Sequence, residues 1–299
     1  MNILISGASG LIGRALSDYL PSLGHTVYQL QRNRPNTDFY WDPLKQQVHF
    51  DPNTPIDAVI NLNGVNIGDK NWSVSRKLAI VESRIRSTTL LSQTLANMKV
   101  KPKLLINASA IGFYGDTGQT AVDETDDAGN NYLSEIVVPW EAAAQPAIDA
   151  GIRTVFIRSG VVLSKTDGAL AKMLPPFKLC LGGKIGSGQQ FMSWISLLDE
   201  LRAIAFLLAN TDISGPVNLT SPNPVKNDEF TQTLGKSLKR PTPFPMPEFM
   251  VKLLFGEMGE LLLLGSARVQ PSVLLDAGFE FQHPDLLAAL QYCQTVNSY

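Results

Sequence analysis

Three glycines at a fixed spacing, Gly7-Ala8-Ser9-Gly10-Leu11-Ile12-Gly13, follow directly on the short apolar run Asn2-Ile3-Leu4-Ile5-Ser6. A bound pyrophosphate needs backbone N–H groups at close range and a helix N-terminus behind them. Glycine permits both the tight turn and the close approach. The spacing GxxGxxG is weak evidence alone, but here the context supports it. Helical spacing follows at Leu11, Ile12, Ala15, Leu16, Tyr19, Leu20 and Leu23, with Gly24 as a stop and a second strand over residues 25–31. Contacts to a dinucleotide are therefore expected from Gly7, Ser9, Gly10, Leu11, Ile12 and Gly13. The plainer alternative is a tight strand-to-helix turn with no ligand.

The end of the second strand selects between dinucleotides. A carboxylate there holds a ribose 2′-hydroxyl, and an arginine pairs with a 2′-phosphate. The residues are Gln31, Arg32, Asn33 and Arg34, and no carboxylate appears before Asp38. This pattern predicts NADP(H), held by Arg32 and Arg34, against the alternative that both are solvated loop charges. Leu62, Asn63 and Gly64, at the end of the third predicted strand, would let the ribose and adenine lie against backbone. Asn and Gly are also ordinary turn formers.

The elements that must position these residues alternate. Strands are predicted over 2–6, 25–31, 57–62, 103–109 and 154–158, and helices over 11–23, 73–98 and 132–150. Such alternation implies an α/β fold, a Rossmann doubly wound parallel sheet covered on both faces. Beyond about residue 165 proline clusters and shorter elements replace it, which predicts a smaller C-terminal α+β lobe. The expected division is residues 1–165 for the NADP-binding domain and 166–299 for the substrate lobe. The apolar stretch 246–264 carries Glu248, Lys252, Glu257 and Glu260, too many charges for a membrane span, and is expected to be a buried helix.

The chain has 299 residues, a net charge of −2 and two isolated cysteines, Cys180 and Cys293. These features argue against a nucleic-acid or membrane partner, a disulfide framework and a zinc site. No basic segment precedes the first strand as in a secretory signal, so a cytoplasmic, reducing setting is expected. The expected partner is a small-molecule substrate, and the expected assembly a monomer or homodimer.

Four motifs carry a family resemblance: the glycine turn, Asp57-Ala58-Val59-Ile60-Asn61-Leu62-Asn63-Gly64, the stretch from Ser109 through Tyr114-Gly115, and Arg158-Ser159-Gly160-Val161-Val162-Leu163. With them the chain resembles the extended short-chain dehydrogenase/reductase superfamily of the nucleotide-sugar epimerase type. Ser83-Arg84-Ile85, Trp140-Glu141, Gly186-Ser187-Gly188-Gln189, Ser193-Trp194-Ile195, Gly215-Pro216-Val217-Asn218 and the closing Leu274-Leu275-Asp276-Ala277-Gly278-Phe279 narrow it. Together they resemble an atypical subgroup, epimerase-family proteins with a C-terminal domain of unknown function, which implies NADP(H) binding. The pattern departs at Gln190, where a basic residue is expected.

The resemblance implies a tyrosine as general acid/base, a lysine four residues on, and a serine or threonine that hydrogen-bonds the substrate oxygen. Tyr132 is followed four residues later by Ile136. Anchoring on Trp140-Glu141 instead places Leu133 and Val137 at the two positions. No lysine occurs between Lys103 and Lys165. The remaining catalytic candidates are Ser109, otherwise a strand-end hydroxyl, and Tyr114, otherwise an aromatic wall with no visible cation partner. Glu141 reads as a structural or capping carboxylate. Arg84 stands where epimerases carry an Asn near the cofactor, and is expected at a phosphate or the substrate unless it forms a surface ion pair. Gly182, Gly183, Gly186 and Gly188 suggest a flexible loop at the crevice edge. Trp194 is expected in the core or in the ligand wall. Two functions remain open: an NADP(H)-dependent oxidoreductase or epimerase-like enzyme with a non-standard proton donor, and a non-catalytic NADP(H)-binding sensor.

Overall fold

In β1 (Asn2–Ser6) Ile3 and Ile5 point to one face and Leu4 to the other, and all three are fully buried. A strand packed on both faces requires a continuous apolar run, which is why no alternation marks it. The computed structural model describes residues 1–32, 37–50 and 54–295. Arg34 lies outside the described residues.

After β1 come α1 (Leu11–Ser22), β2 (Thr26–Arg32), β3 (Phe39–Asp42), β4 (Gln47–Phe50), β5 (Ala58–Asn61), α2 (Val74–Ala96) and β6 (Leu104–Ala110). Next are β7 (Ala121–Val122), α3 (Tyr132–Ala142), α4 (Gln145–Asp149), β8 (Arg153–Ser159), β9 (Val161–Leu163) and α5 (Gly168–Lys178). The chain continues through β10 (Phe191–Met192), β11 (Trp194–Ser196), α6 (Leu197–Ala209), β12 (Gly215–Leu219), β13 (Val225–Lys226) and α7 (Asn227–Leu238). It closes with α8 (Glu248–Gly259), β14 (Arg268–Val269), α9 (Ser272–Asp276) and α10 (Leu286–Thr295).

The main sheet has eight strands in the order β12-β8-β6-β5-β1-β2-β3-β4. All neighbours are parallel except β3 and β4. The strand order reverses at β1, between β2 and β5. The crevice above the C-terminal ends of β1 and β5 is therefore the switch point at which open α/β sheets take ligands. On one face α1 and α6 pack Leu16, Leu20, Leu201 and Ile204 against Ile3, Ile5, Ile106 and Val217. On the other, Leu91 and Leu95 of α2 and Ala147 of α4 pack against Leu4, Val59 and Leu105. A third cluster gathers α5, α7 and α10 around the fully buried Trp194 and Phe230.

Several expectations change. The helix expected over 132–150 is two helices, because Pro146 has no N–H to give Ala142 and begins a new helix at α4. On α2 Ile80, Leu91 and Leu95 are buried, whereas Leu78, apolar and at helical spacing, is exposed. The edge strands β3 and β4 were not predicted. The segment 246–264 is not a buried helix. Only Val251 and Met258 of its large side chains are buried, while Phe249 is 68% and Leu253 80% exposed. Gly256 breaks it at φ 55°, ψ −141°, and its charges pair on the surface, Lys252 with Glu248 at 2.8 Å and with Glu260 at 3.5 Å. Beyond residue 165, α6 and β12 return to the main sheet, β12 pairing with β8. Among the described residues no helix is long and apolar enough to cross a membrane.

Candidate functional site

The glycine turn closes on itself and on β5. Gly7 has φ 75°, and a Cβ there would lie 2.6 Å from the Leu62 carbonyl oxygen. A Cβ on Gly13 would lie 2.3 Å from the Gly7 carbonyl oxygen, so α1 starts against the turn only because both residues lack side chains. The Gly10 amide donates to the Gly7 carbonyl at 3.0 Å. Gly10 caps α1 without a side chain, and no acidic residue stands in the first turn. The first amides of α1 thus keep their positive field facing the crevice, past exposed Ser9 and half-buried Leu11 and Ile12.

Beneath the turn lies a buried polar chain that sequence reading missed. Ser6 Oγ donates to Asn61 Oδ1 at 2.6 Å, and Asn61 Nδ2 donates to Asn107 Oδ1 at 2.7 Å and to Thr88 Oγ1 at 3.1 Å. Trp140 Nε1 donates to the same Thr88 oxygen at 3.1 Å. These bonds satisfy groups that would otherwise be buried unpaired, and they fix the ends of β1, β5 and β6 relative to one another. The signal was present as one polar residue near the end of each apolar strand.

Arg32 is exposed at the end of β2. Leu62 and Asn63 follow β5, with Asn63 buried and Gly64 exposed. Arg84 reaches back from α2 to this turn. Its Nη1 donates to the Val65 carbonyl at 3.0 Å and the Ile80 carbonyl at 3.1 Å, and its guanidinium lies 4.9 Å from the Trp140 ring centroid. Among the described residues it forms no ion pair, so the surface-pair alternative does not hold. Burial pulls its pKa down to about 10.

Ser109 and Tyr114 belong to one buried network. Ser109 Oγ donates to Glu141 Oε1 at 2.6 Å. Arg158 grips both oxygens of Glu141 at 2.9 Å through Nε and Nη2. Its Nη1 donates to the Tyr114 hydroxyl at 3.0 Å, and that hydroxyl donates to Asn218 Oδ1 at 2.8 Å. Tyr114 therefore has a cation partner that the sequence did not reveal. Burial outweighs the cation, and the phenol is pushed up to about 12. Tyr132 lies elsewhere: its hydroxyl donates to the Lys77 carbonyl, and its ring packs edge-on against Trp72.

Other candidates are structural. Trp194 is fully buried in the core. Gln190 Nε2 donates to the Ile185 and Leu263 carbonyls, which accounts for an amide where a basic residue was expected. The glycine-rich loop 182–188 is bonded to the segment 244–246. Backbone bonds Gly186 to Met246, Met246 to Lys184 and Phe244 to Gly182 tie it down, and a Cβ on Gly182 would strike the Phe177 ring. Among the described residues no group of His, Cys, Asp or Glu is placed to hold a metal ion. A separate cavity of about 590 Å³ is lined by Asn223, Glu229, Lys236, Arg268, Gln270 and Asp285 among others, and none of its lining residues belongs to the glycine turn or the Ser109–Tyr114 network.

Comparisons with known proteins agree with this geometry. Residues 3–219 match the model of the NAD dependent epimerase/dehydratase family, and residues 246–293 match a domain of unknown function, DUF1731. The chain is 46% identical over 297 residues to an epimerase family protein of Mycobacterium tuberculosis, covering 98% of this chain and 97% of that one. The crystal structure of human epimerase family protein SDR39U1 (isoform 2) with NADPH superimposes with a TM-score of 0.90 at 32% identity, covering 99% of this chain and 100% of that one. UDP-glucose 4-epimerase of Thermotoga maritima, at 14% identity, shares the fold with a TM-score of 0.76 over 98% of this chain and 99% of that one. With the glycine turn at the switch point and the family model spanning most of its length, the chain belongs to the NAD dependent epimerase/dehydratase family.

Proposed function

We propose that the chain binds NADP(H) across the ends of β1 and β5 and acts as an oxidoreductase on a small carbonyl or sugar-like substrate. The observation that carries this reading is the uncapped start of α1 behind a glycine turn at the sheet's switch point. Gly7, Ser9, Gly10, Leu11, Ile12 and Gly13 would hold the pyrophosphate, and Leu62, Asn63 and Gly64 the riboses. Arg32, with Arg34, would hold the 2′-phosphate, and Arg84 would stand at the nicotinamide side. The human relative solved with NADPH supports the choice of dinucleotide. Bound NADPH would supply a hydride. This chain's part would be to orient the cofactor, exclude water and deliver a proton from Ser109 or Tyr114. We place the protein in a cytoplasmic, reducing setting as a monomer or homodimer, in keeping with its two free cysteines.

A second reading, a non-catalytic NADP(H) sensor, is favoured by one observation. Ser109 and Tyr114 are 6% and 4% exposed, and both hydroxyl protons are already given to protein acceptors. Spectrophotometric turnover of NADPH over a panel of carbonyl compounds separates the two. Tight NADPH binding with no turnover on any of them would select the sensor, and absence of NADPH binding would overturn both.

A further inference from the structure

Two guanidinium groups converge beside the end of β5, and among the described residues no carboxylate pairs with either. Arg84 and Arg76 both project from α2 towards the loop that follows β5. Arg84 is clamped on the Val65 and Ile80 carbonyls, and Arg76 Nη2 donates to the Asn66 carbonyl. A Cβ on Gly64 would come within 3.3 Å of the Arg84 guanidinium carbon, so the glycine leaves that side of the loop open to it. Arg76 Nε is buried with no hydrogen-bond partner. Among the described residues neither arginine forms an ion pair, whereas Lys77, next along the helix, pairs with Glu257 at 2.8 Å. The Arg84 pKa is lowered by burial and further by the neighbouring charge of Arg76.

Desolvating a cation without a counter-charge is costly, and two that repel each other cost more. Backbone carbonyls offset part of that cost but carry no net charge. The arrangement is what remains of an ion-pair network when its anion comes from outside the chain. Planar, bidentate guanidinium donors match carboxylate and phosphate oxygens. Trp140 lies under Arg84, and Trp72 stacks edge-on with Tyr132, whose phenol lies within the field of Arg84.

We propose that Arg76 and Arg84 form the receptor for an oxyanion, a carboxylate or phosphate carried by the substrate, beside the dinucleotide. This deepens the function proposed above and rests on it only for the identity of the neighbouring ligand. The substrate class is accordingly an anionic carbonyl or sugar compound.

Isothermal titration of inorganic phosphate into the full chain, with and without saturating NADPH, tests the site. Wild type should show saturable binding in both states. Arg76→Met and Arg84→Met should each weaken phosphate about tenfold or more, the loss expected for a charged hydrogen bond. Arg84→Lys, which keeps the charge but loses the planar fork, should fall between wild type and Arg84→Met. The NADPH dissociation constant should stay within about threefold in Arg76→Met, and in the Arg84 variants, whose side chain lies beside Gly64, it should change less than the phosphate constant does. Of the two Met variants, Arg84→Met, which relieves a desolvated charge without a counter-ion, should keep its melting temperature level or higher, and Arg76→Met, at a half-buried residue, should change little. Phosphate should raise the melting temperature of wild type and not theirs.

No saturable phosphate binding to wild type overturns the proposal. So does a comparable loss of NADPH affinity in both Met variants, which would assign the pair to the cofactor's own phosphates. A lowered melting temperature with phosphate affinity intact would reduce both residues to loop ties, and also overturns it. NADPH binding to wild type is read separately by nicotinamide fluorescence. Its failure would sink the cofactor reading while the phosphate titration of the free protein still decides this one.

Discussion

Arg32 ends β2 as an exposed cation that, among the described residues, forms no ion pair. A 2′-phosphate there would gain a charge-assisted hydrogen bond, worth about 1.5–3 kcal/mol. Arg32→Ala should therefore weaken NADPH about 10- to 100-fold and leave NADH nearly unchanged. Wild type binding NADH more tightly than NADPH, with both constants measured side by side, would remove the argument. Gly7 makes a different demand. A side chain there faces both φ 75° and a carbonyl 2.6 Å away. Gly7→Ala should cost about 1–3 kcal/mol in urea unfolding and abolish NADPH binding. The turn was legible in the sequence because its residues are neighbours in the chain, and its conformation follows from local sterics. The cation beside Tyr114 was not, because Arg158 and Tyr114 are 44 residues apart and only the pairing of β6 with β8 brings them together.

At the scale of elements, α3 is where the usual tyrosine–lysine pair is missing, and the structure shows what the helix carries instead. Glu141, on its last turn, accepts from Ser109 of β6 and from Arg158 of β8. The reading of Glu141 as a structural carboxylate agrees with this geometry, although its partners could not be named from spacing. Arg158 and Glu141 are 4% and 13% exposed at their side chains, so each is desolvated and depends on the other. Removing one partner of such a pair leaves a buried charge and costs about 3–5 kcal/mol, while replacing both can be near neutral. Glu141→Gln and Arg158→Met should each be strongly destabilising, and the double variant should recover much of the loss in a double-mutant cycle. Additive losses would show that the two groups are not coupled. Helix spacing predicted where α2 lies but not which way it faces: Ile80 turns inward and Leu78 outward, because contact with α3 and α4 settles its rotation.

At the scale of the whole molecule, the chain returns to its first sheet after leaving it. The sequence changes character near residue 165, yet α6 and β12 beyond that point complete the sheet and one of its two covering layers. That return was illegible because a strand of five residues joins whichever sheet offers it an edge, and the edge is supplied by β8, more than fifty residues earlier. The junction contains Glu200, in the first turn of α6 and fully buried. One of its oxygens accepts from Ser159 at the end of β8, at 2.6 Å, and the other has no partner. Burial pushes its pKa from 4.5 up to about 8. The folded state therefore holds this proton more tightly than the unfolded chain does. Below the unfolded value both states are protonated and Glu200 carries no penalty. As pH rises from about 4.5 to about 8 the unfolded chain ionises while the folded protein does not, so the contribution of this residue to stability falls steadily across that window and levels off above it. Glu200→Gln removes the titration and keeps the shape. Urea unfolding of both proteins at about pH 5, 6.5 and 8.5 should show the variant gaining on wild type as pH rises, with the gap constant at higher pH. Other groups titrate over the same range, among them Glu124, raised by burial, and His283, lowered by it. They are common to both proteins and cancel in the difference. Parallel stability profiles would mean that Glu200 is already ionised in the folded protein, and that α6 is held to the sheet around a buried charge.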